Sequence, residues 1–163
     1  MQTTSTDDTI GFGGGCHWCT EAVFQDLRGV NRVEQGFIKS TPPDDSFSEA
    51  VIVHFNPAPI NLSVLTNIHL RTHASGADHS MRGKYRSAVY VKGEAQRQSM
   101  AGILDALQTE FETPRVTKIL QHVEFRPSES QFQNYYKTNP ERPFCKTYID
   151  PKLARVRNLL AGT

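Results

Sequence analysis

The segment GGGCHWC, residues 13–19, decides how the first part of the chain folds. It follows a short run that can form a strand, residues 9–12, and it leads into a helical pattern with apolar residues at Trp18, Ala22 and Leu27. Glycines let the backbone approach other groups closely and take conformations closed to other residues. The segment therefore predicts a strand, a tight turn and then a helix that begins at Cys16.

The position of Cys16 predicts a reactive thiol. A helix that begins there aims free N–H groups and the positive end of its dipole at the sulfur. That environment lowers the pKa of a thiol and makes the nucleophilic thiolate available near neutral pH. The alternative is a small residue buried in a tight turn. The three glycines, the helix start and a second cysteine, Cys19, favour the reactive thiol.

Length and composition narrow the class of protein. The 163 residues suit one domain, 1–163, with residues 1–8 as a flexible tail that is unlike a signal peptide. The net charge of +1 gives no reason to expect nucleic acid or an anionic membrane as a partner, and no apolar run is long enough to span a membrane. Three cysteines are an odd number, which favours a reducing compartment and chemical use of the thiols. We therefore expect a cytoplasmic monomer.

Strand and helix patterns alternate along the chain. This order predicts an α/β fold, more narrowly an α+β two-layer sandwich with a mixed central sheet, flanking helices and a ferredoxin-like core. Strands are predicted near residues 9–12, 30–38, 50–55, 87–91 and 116–125, and helices near 16–27, 61–71, 94–110, 128–136 and 150–160.

Four motifs occur in the order and approximate spacing of the A-type peptide methionine sulfoxide reductases. They are GGGCxW at residues 13–18, Glu49 before VxVxFNP at 51–57, YRSA at 85–88 and YYxxNP at 135–140. The chain resembles this family over about residues 9–153. The resemblance implies reduction of methionine-S-sulfoxide, free or in proteins, by cysteine chemistry. It also implies thioredoxin as the external reductant, with no cofactor and no metal.

The residues suit that chemistry. Sulfoxide reduction needs a soft nucleophile, for which Cys16 is the candidate, and an acid that protonates the departing oxygen. Glu49 is the candidate acid, because its apolar neighbours favour the protonated form. The resemblance implies that Tyr85 donates a hydrogen bond to the sulfoxide oxygen and that Trp18 forms an apolar wall for the S-methyl group. The alternatives are a solvated glutamate, a half-buried tyrosine and a tryptophan that packs in the core.

Some positions depart from the family pattern. The family usually has phenylalanine where His17 stands, and Phe37 replaces a tyrosine that normally assists the acid. The loop aspartate of the family aligns with Ser80, although Asp78 lies close enough to take its place. Nucleophile and acid are retained, so these changes affect substrate orientation and rate. The expected substrate-binding residues are Trp18, His17, Phe37, Ser80 and Asp78.

A sulfenic acid on Cys16 requires a second thiol, since it would otherwise over-oxidise. Cys145 follows a proline-rich and therefore mobile segment, which resembles the position of a resolving cysteine in some family members. Cys19 is closer in sequence, but on a regular helix its side chain is expected to point away from Cys16. We favour Cys145, because a flexible partner meets disulfide geometry more easily.

Two other classes of protein remain open. A thioredoxin-like or glutaredoxin-like oxidoreductase would use Cys16-x-x-Cys19, but it leaves Glu49 and Tyr85 without a role. A zinc-binding module would combine the same two cysteines with two histidines, although about 50 residues separate the histidines from Cys19, far more than in compact zinc sites. The histidines in question are His69, His73 and His79.

Overall fold

The computed structural model describes residues 7–77 and 84–161. Asp78, Ser80 and His79, which the sequence analysis singled out, lie outside these residues. The strands are β1 (Asp8–Gly13), β2 (Val30–Lys39), β3 (Ser48–Phe55), β4 (Ala88–Val91), β5 (Lys118–Gln121) and β6 (Glu124–Pro127). The α-helices are α1 (His17–Gln25), α2 (Leu62–Thr72), α3 (Glu94–Gln108), α4 (Tyr135–Thr138) and α5 (Asp150–Ala161).

The strands form one mixed sheet in the order β5-β4-β1-β3-β2-β6. Only the β4–β5 pair is parallel among the paired strands of the described residues. The central four strands, with α1 between β1 and β2 and with α2 between β3 and β4, have the β-α-β-β-α-β order of a ferredoxin-like unit. The predicted two-layer α/β fold is confirmed.

The helices cover one face of the sheet. Their apolar residues, among them Phe24 of α1, Leu65 of α2 and Met100 of α3, form one cluster with inward-facing residues of the strands. The sequence offers Asn61 or Ser63 as the cap of α2, and the structure has Asn61, whose side chain accepts a hydrogen bond from the N–H of Val64 at 2.9 Å. Of the helices in the part of the chain described, none combines the length and the hydropathy needed to cross a membrane.

One predicted strand is wrong, and the packing on the second face of the sheet shows why. Residues 116–125 were expected to form a single strand, but β5 and β6 lie at opposite edges of the sheet with only two residues between them. The edges can be this close because the sheet is curled. Leu120 and Phe125 both pack into a cluster on this face, and the N–H of Val123 donates to the carbonyl of Lys39. Tertiary pairing therefore divides a continuous strand pattern.

The predicted helix at residues 128–136 is also wrong. Residues Ser130–Phe132 form a short 3-10 turn, and Tyr135 begins α4 instead of ending a helix. Asn134 between them is left-handed, with φ of 55°. The buried carboxylate of Glu21 accepts hydrogen bonds from the N–H groups of Asn134 and Tyr135, at 2.9 and 3.2 Å. This contact with α1, more than a hundred residues away in the chain, sets where the segment turns.

Candidate active site

Cys16 lies at the start of α1, as predicted. It is the N-cap residue, with extended backbone angles of φ −60° and ψ 126°. Its carbonyl accepts hydrogen bonds from the N–H groups of Cys19 and Thr20, which close the first turn of the helix. The side chain is half-buried, and its sulfur faces the N–H groups of that turn.

The thiol of Cys19 is hydrogen-bonded to the sulfur of Cys16, so the prediction that it points away is wrong. The N-cap residue and the third helical residue lie on the same face of a helix, which is the geometry that brings the two sulfurs together. This hydrogen bond is the largest cause that lowers the pKa of Cys16, and N–H groups of the first turn add to it. Burial and the charge of Glu49 oppose the shift. The same hydrogen bond raises the pKa of Cys19 far above its ordinary value.

Cys145 is fully buried beside these two cysteines. It packs with Cys19, Ala22 and Ile149 in a small cluster that Cys16 touches from the side. Burial raises the pKa of the Cys145 thiol. The residue is not on an exposed mobile segment, because it begins a π-helical turn, Cys145–Ile149, that runs directly into α5. All three cysteines are free thiols.

A lysine side chain lies beside the thiols of Cys16 and Cys19. Lys152 of α5, together with Cys16, Cys19 and the ring of His73, lines a cavity of about 90 Å³. Its ammonium group donates a hydrogen bond to the carbonyl of Thr72, at the end of α2. Burial lowers the pKa of Lys152, and its charge favours the thiolate forms of both cysteines. Sequence reasoning missed this residue, because a lysine in an amphipathic terminal helix is indistinguishable from a surface residue until the helix is packed.

Glu49 is buried, with 7% of its surface exposed, and is therefore not a solvated glutamate. It is the second residue of β3, and its Oε1 accepts a hydrogen bond from the N–H of His17 at 3.1 Å. The Nζ of Lys84 lies 3.7 Å from Oε2. The carboxyl group thus stands beside the first turn of α1, close enough for its charge to raise the pKa of Cys16.

The segment around Tyr85 is bonded to the start of β3. The N–H of Glu49 donates to the carbonyl of Lys84 at 2.9 Å, and the buried Arg86 guanidinium donates to the carbonyls of Ile38 and Ser46. The Nζ of Lys84 lies 5.1 Å from the centre of the Tyr85 ring. A hydrogen bond with Tyr85, and next the charges of Tyr85 and Glu49, raise the pKa of Lys84. Tyr85 and Glu49 are therefore on the same side of the site.

Two glycines of the opening segment are required by close approach. A Cβ on Gly13 would lie 3.0 Å from the carbonyl oxygen of Arg86 and 3.1 Å from that of Glu49. A Cβ on Gly14 would lie 2.4 Å from the ring of His73. The end of β1 can therefore run between the acid-bearing strand and the end of α2 only without side chains.

Trp18 faces an aromatic cluster from the C-terminal part of the chain. Its ring stacks on Tyr135 with centroids 4.1 Å apart and an interplanar angle of 7°. Phe144 packs edge-on against it at 5.4 Å, and Phe132 lies at 5.9 Å. The sequence analysis gave Tyr135 no role, although it belongs to the YYxxNP motif. Trp18 is thus one of several aromatic rings that pack together beside Cys16.

His17 and Phe37 lie on the other side of the helix start, next to the acid. Phe37 is the cross-strand partner of Glu49, and its ring lies 5.1 Å from that of His17. The His17 ring, which the sequence analysis expected to bind the substrate, is directed to Glu49, Phe37 and the carbonyl of Gly36. The structure therefore brings His17 and Phe37 to the acid.

The zinc-binding alternative gains no support from the described histidines. His69 is buried, and its Nε2 donates to the carbonyl of Gly13 at 2.9 Å, while the Nε2 of His73 lies 2.8 Å from the hydroxyl of Ser87. Within residues 7–77 and 84–161, no group of three or more His, Cys, Asp or Glu side chains is arranged to hold a metal ion.

Comparison with known proteins agrees with this geometry. The family model described as peptide methionine sulfoxide reductase matches residues 8–161. The peptide methionine sulfoxide reductase MsrA of Deinococcus radiodurans is 39% identical, over 90% of this chain and 79% of that protein. The fold is similar to reduced Mxr1 of Saccharomyces cerevisiae, with a TM-score of 0.75 and 24% identity over 88% of this chain and 91% of that one. It is also similar to Mxr1 in complex with Trx2, with a TM-score of 0.63 and 23% identity over 77% and 84% of the two chains. The chain belongs to the peptide methionine sulfoxide reductase family.

Proposed function

We propose that this chain reduces methionine-S-sulfoxide, free or within peptides, to methionine, with Cys16 as the nucleophile and Glu49 as the acid. The observation that carries the proposal is the placement of these two groups. A thiol with a lowered pKa stands at the first turn of α1, and the buried carboxyl group accepts a hydrogen bond from the same turn. Membership of the family supports the choice of sulfoxide as substrate.

The first half of the reaction uses these two groups. The Cys16 thiolate attacks the sulfoxide sulfur while Glu49 gives its proton to the sulfoxide oxygen. The sulfur–oxygen bond of the substrate then breaks and the hydroxyl group passes to the Cys16 sulfur. The products are methionine and a cysteine sulfenic acid, so the substrate sulfur gains two electrons and the cysteine sulfur loses two. Tyr85, on the side of Glu49, is the proposed hydrogen-bond donor to the oxygen, and Trp18 packs against the methyl group.

The second half returns the thiol. A second cysteine attacks the sulfenic sulfur, forms a disulfide and releases water. We assign this role to Cys145, which packs in the same cluster as Cys16 and begins a π-helical turn, an element common at functional sites. Cys19 donates its hydrogen bond to Cys16 and so has the more strongly raised pKa, which suits a group that stabilises the first thiolate. Thioredoxin is the proposed reductant of the disulfide, in keeping with the Mxr1–Trx2 complex.

The remaining parts of the proposal follow from this chemistry. Cysteine thiols and an external reductant supply both electrons, so the proposed enzyme needs no cofactor, and we also propose that it is a monomer. Three free thiols suit a reducing compartment, and we therefore propose a cytoplasmic location.

The test is the reduction of the separate S and R epimers of a blocked methionine sulfoxide, with dithiothreitol as reductant. We expect methionine to form from the S epimer only, and the Cys16→Ser variant to form none. Reduction of the R epimer, or of neither epimer, would overturn the proposal. Reduction of small disulfides without reduction of either sulfoxide would instead favour the thioredoxin-like alternative.

A further inference from the structure

His17 makes contacts with the proposed acid that an apolar residue could not make. Its backbone N–H donates to Oε1 of Glu49 at 3.1 Å, and its ring Nε2 lies 3.5 Å from the same oxygen. The other ring nitrogen, Nδ1, lies 2.6 Å from the carbonyl oxygen of Gly36. His17 is 6% exposed and Glu49 is 7% exposed, so water has little access to the pair.

The contact with Gly36 determines which ring nitrogen carries hydrogen. A carbonyl oxygen can only accept, so Nδ1 must donate to it. In the neutral ring, Nε2 then has a lone pair, and this lone pair faces Oε1 of Glu49. Two acceptors that face each other repel, and one proton between them turns this repulsion into attraction. The proton either belongs to the carboxyl group or sits on the ring, which then becomes a cation opposite a carboxylate.

The surroundings disfavour a cation on the His17 ring. Burial lowers the pKa of His17, while the charge of Glu49 acts in the opposite direction and that of Lys84 adds to the lowering. His17 is the first residue of α1, where the helix dipole disfavours a cation. Among residues 7–77 and 84–161, the charged or titratable groups that face the pair are Lys84, at 3.7 Å from Oε2, and the thiol of Cys16. The ring of Phe37 covers the pair from β2.

We propose that His17 is a positioning residue whose ring shares one proton with Glu49 and holds the carboxyl group in place beside the thiol. The inference rests on the proposed function. When Glu49 gives its proton to the sulfoxide oxygen, the carboxylate that remains faces the neutral Nε2. A proton from solvent then restores the pair, at either Oε1 or Nε2.

The kinetic test compares three variants over pH 5.5–9.5. His17→Phe keeps the ring shape and the backbone N–H, His17→Gln keeps a polar group that does not titrate, and His54→Phe is the matched control. His54 also pairs with a glutamate, its Nε2 being 2.6 Å from Oε1 of Glu34, but on the surface of the sheet. The measurement is methionine released in a single turnover, which does not depend on the resolving step.

We expect His17→Phe to shift the alkaline limb of the rate profile to lower pH by about one unit, so that the rate falls about tenfold at pH 8.5 and much less at pH 6. His17→Gln should restore the rate at pH 6 to 7 but not the alkaline limb, and His54→Phe should match the wild type. A profile unchanged in His17→Phe, or a loss of equal size at every pH, would overturn the inference.

A second measurement does not require activity. In ring-labelled protein, nitrogen NMR should show hydrogen on Nδ1 of His17 at pH 7.5, and Glu49→Gln should shift the titration of the ring to lower pH because the proton that the pair shares is gone. An identical titration in both proteins would overturn the inference. Failure of the proposed function would be distinct, since the wild type would then release no methionine at any pH.

Discussion

Two groups of residues meet at the start of α1, and different kinds of contact hold them. We call them the thiol side, with Cys16 and Cys19, and the acid side, around Glu49. On the thiol side, the hydrogen bond between Cys16 and Cys19 joins residues three apart in the chain. On the acid side, Glu49 is held by His17, by Phe37 across the sheet and by Lys84, all of them distant in sequence. The thiol side is thus set by the helix end itself, whereas the acid side depends on the pairing of the strands.

This difference indicates which changes each side can tolerate. The contacts that lower the pKa of Cys16 come from its own helical turn, so they form whenever α1 forms. The position of Glu49 depends on the register between β2 and β3 and on the bonds of residues 84–86 to both strands. Substitutions on the thiol side should therefore change chemistry while the fold is kept. Those on the acid side should change the alignment of the acid with the thiol.

The largest effect is expected from Cys16→Ser, which removes the nucleophile of the thiol side. We expect no methionine from the S epimer, because a serine hydroxyl is a poor nucleophile toward sulfoxide sulfur and no other cysteine has a lowered pKa among the described thiols. The far-ultraviolet circular dichroism should match the wild type. Turnover that survives in Cys16→Ser would remove the basis of the mechanism.

The next effect concerns the resolving thiol, also on the thiol side. Cys145→Ser should release about one equivalent of methionine per enzyme and then stall with thioredoxin, because the sulfenic acid has lost its partner. Dithiothreitol should partly bypass the block, since a small thiol reaches the sulfenic sulfur directly. Multiple-turnover assays with each reductant measure both effects.

Cys19→Ser is the matched control for this prediction. It should continue to turn over with thioredoxin, although more slowly at low pH, since the hydrogen bond that favours the Cys16 thiolate is weakened. Peptide mapping without reductant, after one equivalent of sulfoxide, should show a disulfide between Cys16 and Cys145. A disulfide between Cys16 and Cys19, with Cys145→Ser fully active, would contradict the assignment.

On the acid side, Glu49→Gln should lower the single-turnover rate by about 10²-fold, the usual cost of removing a general acid. The amide can keep the hydrogen bond from the N–H of His17, so the fold should not change. Glu34→Gln is the control, because Glu34 bonds to a histidine on the sheet surface in a similar pair. Equal rates for the two variants would mean that Glu49 is only a structural residue.

The sequence was informative where local geometry decides the outcome. The helix start at Cys16 and the ferredoxin-like order follow from short-range patterns and motif order, and both are confirmed. The split of residues 116–125 into two strands could not be read from the chain, because it depends on the curl of the whole sheet. The contact of Cys145 with the other two cysteines could not be read from the chain either, because it depends on how the turn at Cys145 packs. The same holds for Lys152, which approaches the cavity that Cys16 and Cys19 line.

The smallest predicted effect concerns His69, which packs beneath the point where the thiol side and the acid side meet. His69 lies beneath the junction, fully buried, and its Nε2 donates to the carbonyl of Gly13, between the thiol and acid sides. Burial lowers the pKa of His69 well below its ordinary 6.5. Below about pH 6.5 the unfolded chain therefore binds a proton that the native state does not, and the free energy of unfolding falls as the pH is lowered.

One such group changes the free energy of unfolding by at most about 1.4 kcal/mol per pH unit. His69→Gln should flatten this dependence between pH 6.5 and 5 by nearly that slope, whatever its effect on stability at pH 7.5, as measured by urea unfolding at each pH. His122→Gln should flatten it less, because His122 is only partly buried and its pKa is lowered to a smaller degree. An unchanged slope in His69→Gln would mean that His69 takes up its proton in the folded protein. The hydrogen bond to Gly13 would then persist when the His69 ring is protonated, and a cation would lie beneath both sides of the site.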